Sequence, residues 1–499
     1  MNLLKLNFIL FFIQNDLLLT LFLTSKNMKN SKLIDLLKTF DSKELREFRD
    51  FVKSPFFNKN QELVLFYDYL KKIAPKFSEK KIDRNVVYQS LFPQKKYDDK
   101  HFKYLMSFLL KLAEKYVGLK AYQNQKLLPD FHILESFIDR NLEKHFQQNY
   151  QKAASQFNTP TKSNTNFYYH QYLLADISNQ HFLSQKIRKY DTRLQSASDY
   201  LDLFFLAKKL KYSCEILDRH QSISGEYSIG MFDEISDYLE SNNFDAHPTI
   251  NIYYHILKIL SSKNTGHFFE KLKELLFDNF DDITKDEMQT MYFLTINFCV
   301  RKVRQGEKKY VEELLLLYEK GIETQILFDN EFLSPWTYKN VVKLGLGLNK
   351  FDWTENFIHK YNSSLPEPFQ KDALQFNLAD LYYYKNDLDK ALEHLRNVEF
   401  SDIYYTLGAK VILLKIYFEL NEQEALLSLL ASFNIYLKRN KLISNEIIQT
   451  YQNFVKILNI LNRRKPKDFE KLESLINDTP LLVSKNWLIK QFEKVVSEV

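Results

Sequence analysis

Apolar residues in this chain recur at helical spacing. Leu33, Leu36, Leu37 and Phe40 form one stripe, and Leu45, Phe48, Phe51 and Val52 continue it. Asp41 or Ser42 is placed to cap the second of these helices, with Glu44 and Glu47 in its early turns. SPFFN at 54–58 interrupts the stripe, because Pro55 disfavours helix at Ser54. A helix is expected from about Asn60 to Ile73. Asp83 should cap a short helix ending at LFP (91–93), and Asp98 or Asp99 should start a strong helix through Leu119. These elements define an N-terminal helical module over residues 28–125. SPFFN and LFP read either as functional loops or, as favoured here, as segments whose aromatics plug its base.

Further helices follow. LFFLAKKLKYSCEIL at 203–217 reads as an inner helix, and IYYHILKIL (252–260) with HFFEKLKELL (267–276) reads as a hairpin turning around Ser261–Gly266. NTPTKSNTN at 158–166 is the most linker-like text in the chain. The most informative stretch lies further on. KDALQFNLADLYYYKNDLDKALEHLRNVEF is a helix, a tight turn and a helix, and SDIYYTLGAKVILLKIYFELNEQEALLSLL repeats it. Leu378, Ala379, Tyr382, Ala391, Leu395 and Val398 in the first unit answer to Leu413, Leu414, Tyr417, Ala425 and Leu429 in the second. Asn386 and Asn421 fall at the two turns, where a residue tolerant of the left-handed conformation is useful. Ala391 is small enough to let the second helix approach the first closely. A weaker copy upstream places Gly345, Asn349, Phe351, Asp352 and Ile358 before Tyr382, Asn386, Leu388, Asp389 and Leu395, and a still weaker one turns at Gly306.

The unit at 372–403 resembles a tetratricopeptide repeat. It keeps Leu378, Tyr382 and Ala391 of that pattern, with Ala379 for Gly and Leu395 for Phe. The resemblance implies a helical-hairpin solenoid over 126–440, closed by capping helices at 441–499 that present a polar outer face. It also implies a concave groove lined by the first helix of each pair. Matching offsets place Lys339 and Lys343, then Phe376, Asp380 and Tyr383, then Val411, Lys415 and Phe418 on that groove. Such a mixture of aromatics and charges suits an extended or helical peptide. The family's carboxylate-binding pattern requires Lys and Asn at particular positions, and Phe376 and Asp380 depart from it. The opening text KLIDLLKTFDSKELREFRDFVKSPFFNKN, with LFP and FLLKLAEKY after it, resembles a family of uncharacterised helical proteins, which implies a domain but no activity.

Composition narrows the class to all-α. Of 499 residues only 9 are Gly and 11 are Pro, too few for the turns and phosphate loops of sheet-rich or dinucleotide-binding enzymes. Hydrophobic residues make up 45%, enough for a sizeable core. The net charge of +6 is mild at this length. AKKLKY (207–212), RKVRQGEKK (301–309) and NRRKPK (462–467) are short, interrupted basic runs that read as solvated helix ends and loops, which disfavours nucleic acid as the partner. Cys214 and Cys299 sit in apolar helical patterns, as reduced core thiols do. Residues 1–27 are an apolar leader with three readings: a signal peptide, a membrane anchor spanning Leu3–Leu23, or text upstream of a start at Met28. The polar trio Gln14-Asn15-Asp16 and the change to soluble amphipathic text at Met28 favour the last.

No phosphate loop, GxGxxG, GxSxG or HExxH is present, and the 11 histidines are scattered singly. No metal site, cofactor or catalytic residue is assigned, and the chain is not expected to be an enzyme. The expected function is a cytoplasmic, non-catalytic scaffold or adaptor that binds a protein or peptide through the groove. The alternatives are a nucleic-acid-associated regulator using the basic loops, and an adaptor tethered to a membrane through residues 1–27.

Overall fold

The computed structural model describes residues 28–125, 127–157, 162–221, 227–262, 265–396, 403–440, 443–465 and 469–498. The described chain is all-α, with 23 α-helices, one 3-10 turn and one two-stranded hairpin. It divides into two compact units. One holds the described residues of Met1–Thr159 and of Leu173–Leu194, the other those of Pro160–Tyr172 and of Gln195–Val499. The expectations for residues 1–27 lie outside the described residues. Among the described residues, no helix is long and apolar enough to cross a membrane.

The first unit contains α1 (Lys32–Lys38), α2 (Glu44–Lys53), α3 (Gln61–Ile73), α4 (Arg84–Leu91), α5 (Asp99–Gln123), α6 (Leu128–Asp139), α7 (Glu143–Ser155) and the second half of α8 (Thr165–Ser184). Local chemistry sets the helix starts. Asp41 Oδ1 accepts from the N–H groups of Lys43 and Glu44 at 2.7 Å each, and Glu44 reaches back to the Asp41 N–H at 3.1 Å. Asn60, Asp83 and Asp98 accept from the first-turn N–H groups of α3, α4 and α5. Residues from Met28 to Tyr116 build one core, in which Phe48 packs against Phe40, Tyr67 and Tyr116. Phe57 of SPFFN stacks on Phe51 at 4.0 Å and Phe92 of LFP packs on Tyr88 at 5.0 Å. Phe56 differs from the expected plug: its side chain is 85% exposed. The unit runs past residue 125 because α6, α7 and the second half of α8 bury a smaller cluster around Phe131, Leu134, Phe146 and Ile177.

The second unit takes the first half of α8 and then α9 (Arg193–His220, from Gln195 on), α10 (Phe232–Ser241), α11 (Pro248–Ser261), α12 (Gly266–Asp278), α13 (Lys285–Arg304) and α14 (Lys309–Glu323). A hairpin of β1 (Phe328–Asp329) and β2 (Phe332–Leu333) intervenes, pairing Phe328 with Leu333. Then come α15 (Pro335–Gly347), α16 (Phe351–Tyr361), α17 (Glu367–Tyr384), α18 (Leu388–Arg396), α19 (Ile403–Glu419), α20 (Gln423–Arg439), α21 (Asn445–Asn462), α22 (Phe469–Asp478) and α23 (Lys485–Glu498). Consecutive helices pack as pairs: α11 with α12, α13 with α14, α15 with α16, α17 with α18, and α19 with α20. The first helices also touch one another, α11 with α13, α15 with α17, and α17 with α19.

The turns inside the last four of these pairs share one geometry. Asn349, Asn386 and Asn421 have φ of 57°, 62° and 58°, and Gly306 has 91°. At Asn386 the N–H donates to Tyr383 O at 3.1 Å, and the next N–H, of Asp387, donates to Tyr382 O at 2.9 Å. The same two bonds recur at Gly306, Asn349 and Asn421. This is the paired closure that satisfies the last carbonyls of a helix through a left-handed residue. Ala391 lies fully buried just after one such turn.

Two cores fill this unit. One runs from Tyr168 to Ile416 and the other from Leu407 to Val495. Helix α19 supplies both, Tyr405, Ala409, Ile412 and Ile416 to the first and Leu407, Val411, Leu414 and Phe418 to the second. Burial on both sides accounts for its nearly continuous apolar text. The linker-like reading of 158–166 does not hold from Ser163 onward. Ser163 N donates to Asp282 O at 2.6 Å, Thr284 N donates to Ser163 O at 3.1 Å, and Thr165 is buried. The reason is a buried carboxylate. Glu287 Oε1 accepts from Tyr253 Oη and pairs with Lys211 Nζ at 2.9 Å, while Oε2 accepts from Thr165 N at 3.4 Å.

Candidate functional site

Helices α15, α17 and α19 carry all eight expected groove residues. On α17, Phe376, Asp380 and Tyr383 are four and three residues apart, so one face presents them in a row. Lys339 and Lys343 share a face of α15, and Val411, Lys415 and Phe418 share a face of α19. Gly408 permits the approach of α19 to α17. A Cβ there would lie 2.8 Å from both Cε2 and Cζ of Phe376.

The structure joins these residues in pairs. Lys339 Nζ lies 4.9 Å from the centroid of the Phe376 ring and 5.5 Å from that of Tyr405. Lys343 Nζ meets Asp380 Oδ2 at 2.5 Å; the lysine side chain is 43% exposed and the carboxylate only 2%. Tyr383 Oη donates to Glu419 Oε1 at 2.7 Å, and Trp487 Nε1 of α23 donates to the same oxygen at 2.6 Å, with Gln491 Nε2 at 3.3 Å. Lys415 Nζ lies 5.6 Å from the Tyr383 ring and 5.5 Å from the Trp487 ring. Phe376 and Asp380 are buried between helices, and Val411 and Phe418 turn into the C-terminal core, where Phe418 packs edge-on to Trp487 at 5.7 Å. Lys339, Lys343, Tyr383 and Lys415 keep partial exposure.

Electrostatics separates the two central lysines. Burial disfavours the Lys343 charge, but the Asp380 carboxylate outweighs it and holds the amine above its ordinary value. Lys415 pairs with no carboxylate among the described residues. Burial first, and then the Lys343 charge, push its amine down to about 8. Burial and the Glu419 charge push the Tyr383 phenol up. Residues that sequence reasoning missed complete the site: Tyr405, Gly408, Glu419, Trp487 and Gln491. Glu419 stands four residues after Lys415 and could have been found by helical spacing, whereas Trp487 is distant in sequence and gave no signal.

No family model, curated protein or solved structure matches this chain.

Cys214 and Cys299 are free and buried, and burial raises both thiols. Among the described residues, no group of three His, Cys, Asp or Glu could hold a metal ion. His394 stacks on Tyr382 with ring centroids 5.4 Å apart and bonds Gln375 through Nδ1 at 2.8 Å. The basic runs are partly neutralised within the fold, through Lys211–Glu287, Arg301–Asp218, Lys302–Glu307 and Arg464–Glu498.

Proposed function

We propose that this chain is a cytoplasmic, non-catalytic scaffold, with the hairpins of 126–440 forming a tetratricopeptide-like solenoid that binds a peptide or partner segment. The observation that carries this reading is the recurrence of one turn geometry at Gly306, Asn349, Asn386 and Asn421, with α15, α17 and α19 as successive neighbours. On this reading the partner meets Lys339, Lys343, Tyr383, Lys415 and Trp487. Phe376, Asp380, Val411 and Phe418 serve beneath them by fixing the spacing of the helices.

The test is affinity capture with the full chain from cells that express it. The comparison bait carries Lys343→Glu and Lys415→Glu, with helicity checked by circular dichroism. A third bait carries Lys390→Glu on α18 as a control for charge alone. A partner held by the native chain and the control but released by the double variant supports the groove. A partner held equally by all three, or no partner, removes it.

A further inference from the structure

We propose that one face of the first unit docks on the surface of a membrane that contains anionic lipid. The face is the loop tip at Phe56 together with a lysine–aromatic stripe on α5. This goes beyond the scaffold reading, does not depend on it, and uses none of residues 1–27.

The loop presents Phe56 outward and is braced to do so. The N–H groups of Phe57 and Asn58 both donate to Ser54 O, at 3.0 and 2.9 Å. Asn58 Nδ2 ties the two sides of the loop, donating to Val52 O at 2.8 Å and to Asn60 O at 2.9 Å. Phe57 is held inward on Phe51, and Phe56 meets it edge-on at 4.9 Å with 85% of its surface in solvent. Exposed Lys53 and Lys59 bracket this tip. The stripe adjoins it. Lys100, Tyr104, Phe108, Lys111 and Lys115 follow one another on α5 at spacings of four, four, three and four, so they share a face. Tyr104 and Phe108 pack together at 4.3 Å and stay 47% and 39% exposed. Lys115 Nζ stands 5.1 Å from the centroid of the Phe57 ring, which joins loop and stripe into one surface. From Tyr104 to Lys115 the stripe is about 16 Å long.

Charge decides the class of partner. Among the described residues, none of Lys53, Lys59, Lys100, Lys111 and Lys115 pairs with a carboxylate. Cations elsewhere on the same unit do pair: Arg49 with Asp68, Lys103 with Asp99 and Lys120 with Glu47. Glu114, the acidic residue beside the stripe, is rotated about 80° from its centre. Uncompensated lysines interleaved with exposed rings fit an anionic partner that also accepts apolar surface. A nucleic acid would stack its bases on open ring faces. Here Lys111 Nζ stands 5.1 Å over the Phe108 ring, and the Phe57 ring has Lys115 over it and Phe51 stacked against it. A membrane needs no open face. Phe56 enters the boundary between headgroups and acyl chains edge-first, while the lysine stems lie along the rings and their ammonium groups reach the lipid phosphates.

The experiment replaces Phe56 with Trp in the full chain and follows the emission this adds to that of the three native tryptophans. Vesicles of equal parts phosphatidylcholine and phosphatidylserine should shift that emission to the blue, and vesicles of phosphatidylcholine alone should not. Adding Lys111→Glu and Lys115→Glu, both at exposed positions, should raise the lipid needed for the same shift at least about tenfold. Circular dichroism checks that each variant keeps its helicity. No shift with anionic vesicles overturns the proposal, as does an equal shift with neutral ones or a shift that the two glutamates leave unchanged. The last outcome also covers a chain held on the vesicle by residues 1–27. A labelled oligouridylate that binds the native chain and not the double variant, with no vesicle response, overturns it in favour of nucleic acid.

Discussion

Replacing Lys415 with Met should make the protein more stable at neutral pH. The native amine is pushed down to about 8 from the 10.5 of an ordinary lysine. In the unfolded chain it recovers the ordinary value, so between these two values the unfolded state binds more protons than the folded one. Stability therefore rises as pH climbs through that window, and below it the folded state carries the full cost of a poorly solvated ammonium. A depression of this size corresponds to roughly 3 kcal/mol. The side chain keeps partial access to solvent, and screening brings the expected effect to about 1–2 kcal/mol. Methionine fills similar volume, carries no charge and suits the contact with Tyr383 and Trp487. Urea unfolding followed by circular dichroism at pH 6.5, 8 and 9.5 measures the difference. The variant should be the more stable at pH 6.5, and the gap should shrink by pH 9.5. A Lys415→Met chain that is less stable at pH 6.5, with a gap that does not move with pH, would refute the account of an uncompensated cation.

Asp380→Asn should cost about 1–3 kcal/mol, less than the loss of a fully buried pair, because the half-exposed Lys343 can rehydrate; adding Lys343→Met should recover part of it in a urea-unfolding cycle. Gly408→Ala should cost about 1–3 kcal/mol in the same assay, since the new methyl meets the Phe376 ring, already packed edge-on to Tyr405 at 5.2 Å. Asn386→Val should lower stability by about 1–2 kcal/mol while Asn386→Gly should not, a contrast that thermal unfolding reads directly. Glu287→Ala should cost about 2–4 kcal/mol and raise amide exchange at 163–168, because Lys211, Tyr253 and Thr165 all lose their acceptor.

The features legible in the sequence are those whose cause is local. Asp83 and Asp98 cap the helices they precede because a short carboxylate reaches first-turn N–H groups from any such position. Asn386 and Asn421 take the left-handed turn for a reason written in their own side chains. Ala391 is small because a helix approaches it, and the pattern of its neighbours already implied that approach. The rest depends on distant partners. Helical offsets put Asp380 on a groove, but its burial follows from Lys343, one helix away in the packing. Trp487 closes the site from α23, and no spacing within 372–430 announces it. The polar text at 163–166 looks like a linker until Glu287 supplies the buried acceptor for it. Phe56 reads as a core aromatic, but its ring meets Phe57 edge-on and stays exposed, while Phe57 itself stacks on Phe51.

The double burial of α19 bears on how this protein can be cut. A stack of identical hairpins is modular: an end pair can be removed and the remainder still stands. Here the last pairing is not of that kind, because Leu407, Val411, Leu414 and Phe418 are the inner lining of the C-terminal core. A chain ending near residue 440 would keep α19 and α20 but strip away the rest of that core, uncovering the apolar faces they give to it. Such a fragment should self-associate rather than behave as a shorter version of the whole, so excision of the candidate site has to carry α21 to α23 along with it.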